Sequence, residues 1–200
     1  ENKMYYVVLV AYAVFNISIQ IFMPYLILYY DVSLGLSNYV LIMAPAVIVA
    51  AVVTAFYGRV YDKFHFKKSV IPSIGMLMLG YIILYLFKNT ALVFIGSLFM
   101  MSGYLSNMAV FGAMLRDHTP ENRTGMFQGL RIVGQVLIPG IIGPAIGAAV
   151  LKNAEQILNN DGTYSFIPNQ NIFLAALLAA VAIWFVLVFV FKMLDKKDDK

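Results

Sequence analysis

Cysteine is absent from the chain, which excludes disulfides and thiolate-ligated metal but leaves the redox compartment open, since a count of zero suits either side of a membrane. Histidine occurs only twice, as His65 and His118, and neither stands in a metal-binding spacing. There is no Gly-x-Ser-x-Gly elbow and no phosphate-cradling glycine loop. These gaps speak against an enzyme, and they imply no cofactor and no metal. Charge is scarce as well: 12% of the 200 residues are Asp, Glu, Lys or Arg, against 62% hydrophobic and a mean hydropathy of +0.81. A soluble domain carries roughly 25% charged residues. In a soluble protein the net charge of +4 would suggest a nucleic-acid partner, but in a chain this apolar it reads as membrane topology, with lipid as the partner and no nucleic acid.

What the sequence has in abundance is long apolar runs. Between the charges lie six candidate spans, at about residues 4–30, 34–57, 69–87, 89–115, 132–151 and 171–191. Each is long enough to cross about 30 Å of hydrocarbon as a helix. A membrane barrel needs strands of about ten residues that alternate in polarity, and these runs do not alternate. The first run holds 27 residues between Lys3 and Asp31, too many for a signal-peptide core. The expected fold is an all-α membrane protein, one bundle of six transmembrane helices over residues 1–200.

Threading six spans sorts the basic residues. Lys3, the group Arg59, Lys63, Lys67 and Lys68, the group Arg116, Arg123 and Arg131, and the tail lysines from Lys192 onward share one side; Lys88 and Lys152 face the other. Twelve against two places both termini in the cytoplasm of a cell membrane by the positive-inside rule. The longest exterior loop, 152–170, contains Asn159, Asn160, Asp161, Gly162 and Pro168 and reads as turns. Pro72 is expected in a first helical turn, where its missing N–H costs nothing. Pro24, Pro45, Pro139 and Pro144 are expected to bend their helices.

The stretch Tyr57-Gly-Arg-Val-Tyr-Asp-Lys-Phe-His-Phe-Lys-Lys68 resembles the cytoplasmic loop signature of the major facilitator superfamily through Gly58, Asp62, Lys63, Lys67 and Lys68. Where that signature has a second glycine before its basic pair, this chain has His65 and Phe66. The following cytoplasmic loop, Arg116 to Gly125, looks like the partner of the first. Phe127-Gln-Gly-Leu-Arg131, Ile142-Gly-Pro-Ala-Ile-Gly147, Asn16-Ile-Ser18 and Pro24-Tyr-Leu26 are similar to pieces of the glycoside, pentoside and hexuronide cation symporters. The resemblance implies the carboxy-terminal six-helix half of a twelve-helix transporter, with the amino-terminal half as its partner. It also implies alternating access for a small solute, with Gly58, Asp62, Lys63, Lys67, Lys68, Arg116, Asp117, Glu121, Arg123 and Arg131 as a conformational latch.

The residues themselves suggest who touches the solute. Ionisable groups are nearly missing from the spans, so a coupling cation would need an acid elsewhere. Tyr12, Asn16 and Gln20 recur at i, i+4 and i+8 on one helical face and combine a ring with two amides, which suits a sugar. Asn107 and Gln135 are the further candidates. Asp62 is expected to pair with a cation such as Arg116, and Arg131 with Asp117 or Glu121, although Arg131 also suits an anionic solute group. The alternatives to a sugar carrier are an exporter of apolar compounds and a non-transporting scaffold subunit.

Overall fold

A straight 47-residue helix would be about 70 Å long, more than twice the hydrocarbon thickness, yet Val40–Leu86 is helical throughout except at one residue. In the computed structural model, which describes residues 2–198, that residue is His65, with φ 59° and ψ −173°. The chain turns back there. Leu41 and Ile42 at one end border a small cavity with Thr90, four residues beyond the other end, and Val49, Val53 and Met76 border a second cavity together. Residues 40–64 and 66–86 are therefore antiparallel helices, α2 and α3. The conformation of His65 belongs to a region that is essentially glycine's own and costs a side-chain-bearing residue about 1–3 kcal/mol. It occurs where the resembled loop signature carries its second glycine.

With that break, the described residues form six helices that span the bundle. They are α1 (Lys3–Ser33), α2, α3, α4 (Thr90–Asp117), α5 (Glu121–Val150) and α6 (Asn171–Asp198). The Asn89 side chain caps α4 by accepting from the Ala91 N–H at 2.9 Å. Pro24 tightens α1 into a 3₁₀ turn, Met23–Tyr25. Several boundaries differ from expectation: α2 begins at Val40 rather than near 34, α5 begins at Glu121 rather than near 132, α6 runs to Asp198 rather than 191, and α3 begins at 66, so Pro72 lies in the helix interior rather than its first turn. In the exterior loop the turn chemistry closes a short antiparallel hairpin, β1 (Gln156–Leu158) with β2 (Tyr164–Phe166). Gly162 at φ 82° permits its turn, and the Thr163 hydroxyl and N–H bond Asp161, holding that carboxyl below its usual range. The Ser33 hydroxyl donates to Pro168 O and ties the loop to the end of α1.

The core gathers around α1 and α4. Tyr12 and Phe15 of α1 stack on Phe111 of α4, with ring centroids 5.3 and 5.9 Å apart. Ser18 joins three helices through the Tyr81 hydroxyl of α3 and the Ala176 carbonyl of α6. The α3 and α4 backbones touch, because a Cβ at Gly80 or Gly103 would lie 2.5 Å from the backbone nitrogen of Met100 or Leu77. In contrast, α2 buries only Ile42, Ala46 and Ala50 before Tyr61, one stripe at i, i+4 and i+8. Helix α5 buries little more than Phe127, Gly134, Pro139, Gly143 and Gly147. Leu41, Ile48 and Phe56 of α2, with Ile132, Val136 and Ile141 of α5, form broad exposed apolar faces.

Lys67 meets Asp195 at 2.8 Å, and Lys3 borders one cavity with Lys192 and Lys196. The basic hinge and the ends of α1 and α6 thus share one end of the bundle, as the threading of charges requires.

Candidate functional site

Because α5 starts early, Arg131 stands nearly three turns inside its helix rather than at the end. Its Nε donates to Gln135 Oε1 at 3.1 Å, one turn on. The other end of the guanidinium rests against α4 at Gly112, where an added Cβ would lie 3.1 Å from Nη2. The Tyr12 phenol of α1 has Arg131 and Asn16 as polar neighbours. Its hydroxyl donates to the Met108 sulfur at 3.1 Å, and the Asn16 amide bonds back to Tyr12 O at 2.9 Å. Three helices thus bring Tyr12, Asn16, Arg131 and Gln135 into one cluster. Tyr12 and Asn16 are buried, and Arg131 and Gln135 are half-buried.

Local sequence explains the opening of α5 at this level. The Pro139 ring would collide with the Gln135 carbonyl four residues back, and the helix widens into a π turn, Val133–Leu137, just before it. Such turns recur at functional sites. Pro24 stands in the same relation to Gln20 on α1. Each glutamine therefore has a backbone carbonyl without its helical donor.

Beside the cluster lies a cavity of about 560 Å³, bounded by Tyr57, Tyr61 and Asp62 of α2, Met108 and Arg116 of α4, and Arg131 of α5. Its volume falls within the range of about 300–1,000 Å³ typical of small-molecule sites. The sequence matches the Major Facilitator Superfamily profile over residues 5–200. The chain belongs to the major facilitator superfamily. No curated protein sequence matches it. Secondary transport of small solutes comes with that membership.

Two solute-contact candidates of this major facilitator chain sit elsewhere. Gln20 is half-buried where α1 crosses α5, and a Cβ at Gly143 would collide with its own. Asn107 is fully buried on the α3 side of α4, where it accepts from the Ser73 hydroxyl at 2.8 Å and donates to Gly103 O at 2.7 Å. Gly103 brings the helices so close that the amide is sealed between them and cannot join the cluster. Gly143 and Gly147 pack inside this half against α1, whereas Gly140 has open space around it.

The hinge also differs in its partners. Asp62 is exposed and makes no ion pair among the described residues; Arg116 pairs weakly with its neighbour Asp117 at 3.5 Å. Asp117 instead receives the Tyr61 hydroxyl at 2.8 Å, closing α2 on α4, and Lys67 with Asp195 closes α3 on α6. Gly58, Lys63, Lys68, Glu121 and Arg123 are exposed at the same end, Lys63 over the Phe64 ring. Arg131 bonds Gln135 rather than Asp117 or Glu121. Tyr61, Asp195 and Gly112 were not singled out from sequence. Tyr61 stands one residue before the signature's Asp62, but nothing in the sequence gives its partner on α4.

Proposed function

We propose that this chain is the carboxy-terminal half of an alternating-access transporter for a sugar or glycoside, and that Tyr12, Asn16, Arg131 and Gln135 form its wall of the solute path. One observation carries the reading. A phenol, two amides and a guanidinium from α1 and α5 converge beside a cavity of about 560 Å³, and polar and ionisable groups within the spans mark solute paths by default. A ring with amide donors and acceptors matches a hydroxylated solute. Asn107 supports the wall from behind.

The partner in this reading is an amino-terminal six-helix half, docked on the apolar faces of α2 and α5. An axis along the membrane normal between two such halves creates the path in this fold class. The carboxylates of the described residues lie in loops or near helix ends, so a coupling cation would bind an acid of the other half. The twelve-to-two division of basic residues puts the hinge and both termini in the cytoplasm of a cell membrane. The hinge closes one end of the path, with Tyr61–Asp117 and Lys67–Asp195 as bonds that break on opening. Vesicles containing the intact transporter should accumulate a labelled hexose or hexuronate, and Asn16→Ala with Gln135→Ala should abolish uptake at normal expression. Equal uptake by that double variant contradicts the proposal.

A further inference from the structure

We propose that the groove between α1 and α6, at the hinge end of the bundle, binds one anionic phospholipid. Lys3, Lys192 and Lys196 hold its phosphate, and an acyl chain lies along the apolar floor. Helices α1 and α6 run antiparallel: Ser18 meets Ala176, and the Phe22 ring meets the Phe173 ring. Continuing that register toward the hinge end sets Lys3 beside Lys192 and Val10 near Val186, and all four border one cavity of about 480 Å³. On α1, Lys3, Val7 and Val10 share a face at i, i+4 and i+7. On α6, Val186, Phe189 and Lys196 share a face at i, i+3 and i+10, with Lys192 one turn before Lys196. The facing stripes leave three ammonium groups at the mouth and an apolar floor that runs about 10 Å inward along the helices.

Charge selects the occupant. No carboxylate among the described residues borders the groove. Asp195, in the same turn of α6, is held by Lys67 of α3 at 2.8 Å instead. Lysines that serve topology alone can stand anywhere along the loops, whereas these three converge from two helices over one floor. Basic pockets between transmembrane helices suit anionic lipid headgroups, and each lysine near the membrane surface favours such a headgroup about fivefold. The floor asks for a chain as well, since Val10 and Phe189 are 53% and 63% exposed and a soluble anion would leave them uncovered. A second copy docked about a two-fold axis at this groove would set its lysines against these. None of the lining residues belongs to α2 or α5, the faces assigned above to the other half.

The experiment uses the intact transporter, purified in detergent and titrated with phosphatidylglycerol or phosphatidylcholine of matched chains, with bound lipids counted by native mass spectrometry. The expected result is that the first phosphatidylglycerol binds about tenfold or more tightly than the first phosphatidylcholine. Lys3→Gln, Lys192→Gln and Lys196→Gln together should lower that preference about tenfold or more, and each alone about fivefold or less. Lys63→Gln, Lys68→Gln and Arg123→Gln together, which remove the same charge from the same end, should leave it in place. Val10→Trp fills the groove at an exposed position without changing charge; it should weaken phosphatidylglycerol binding several-fold, and it serves should the groove triple variant fail to fold. Equal binding of the two lipids, a preference that survives both groove variants, or one that falls as far with the hinge triple variant overturns the inference and leaves the lysines to topology. So does competition by glycerophosphoglycerol, the headgroup without chains, at concentrations close to those of the lipid, which would make the ligand a soluble anion. A dimer that Val10→Trp dissociates would also overturn it, by giving the groove to a second copy. These readouts involve no solute, so the transport reading stands or falls separately.

Discussion

Helix α4 presents two seams, and they use polar residues in opposite ways. Toward α3, Gly80 and Gly103 draw the backbones into contact, and Asn107 lies sealed with its oxygen and its nitrogen bonded within the protein. Toward α1 and α5, Gly112 makes room for a half-buried guanidinium that, among the described residues, bonds a neutral amide and pairs with no carboxylate. An amide in a dry seam is glue between helices, while a cluster beside a cavity has bonding capacity left for a guest. Residue type alone does not separate the two roles; the distance between helices does.

The strongest way to break this contrast is to fill the dry seam. Gly103→Val places a branched side chain where a Cβ already lies 2.5 Å from the Leu77 nitrogen, and it should cost about 3 kcal/mol or more. In practice the folded yield should collapse in size-exclusion chromatography of the solubilised protein. Asn107→Ala comes next. It leaves the buried Ser73 hydroxyl without its side-chain acceptor and should lower stability by about 1–3 kcal/mol in thermal melts, while solute affinity of the folded fraction stays near wild type. A loss of affinity with unchanged stability would reverse the roles assigned to the seams.

The hinge sharpens the comparison from outside. His65→Gly relieves a glycine-only backbone conformation and should raise stability by about 1 kcal/mol or somewhat more, read as a higher melting midpoint. The smallest effect belongs to Lys67→Ala. Its pair with Asp195 has side chains 44% and 58% exposed, so the change should cost under about 1 kcal/mol and shrink further at high salt.

The spans and their common sidedness were legible because each apolar run is bounded by charges that cannot enter hydrocarbon. The hinge was legible for the same reason, and His65 stood out as a departure from the resembled loop before its strained backbone gave the physical meaning. What stayed hidden depends on pairs of helices. The face of Asn107 could not be known without the glycine contacts that bring α3 against α4. The surroundings of Arg131 depended on α5 beginning a full three turns early, through a polar segment, 121–131, that hydropathy assigns to a loop. The hairpin at 156–166 was missed because three-residue strands carry no readable alternation.

The absence of cysteine from these 200 residues allows one direct test, once any cysteine of the other half has been replaced. In membrane vesicles holding the intact transporter, single cysteines at Ala109, on the cavity wall, and at Ser73, in the sealed seam, can be exposed to a water-soluble, membrane-impermeant thiol reagent applied from each side. The account predicts labelling at 109 that slows when solute is added, and no labelling at 73. An unlabelled 109, or equal labelling at the two positions, would contradict it.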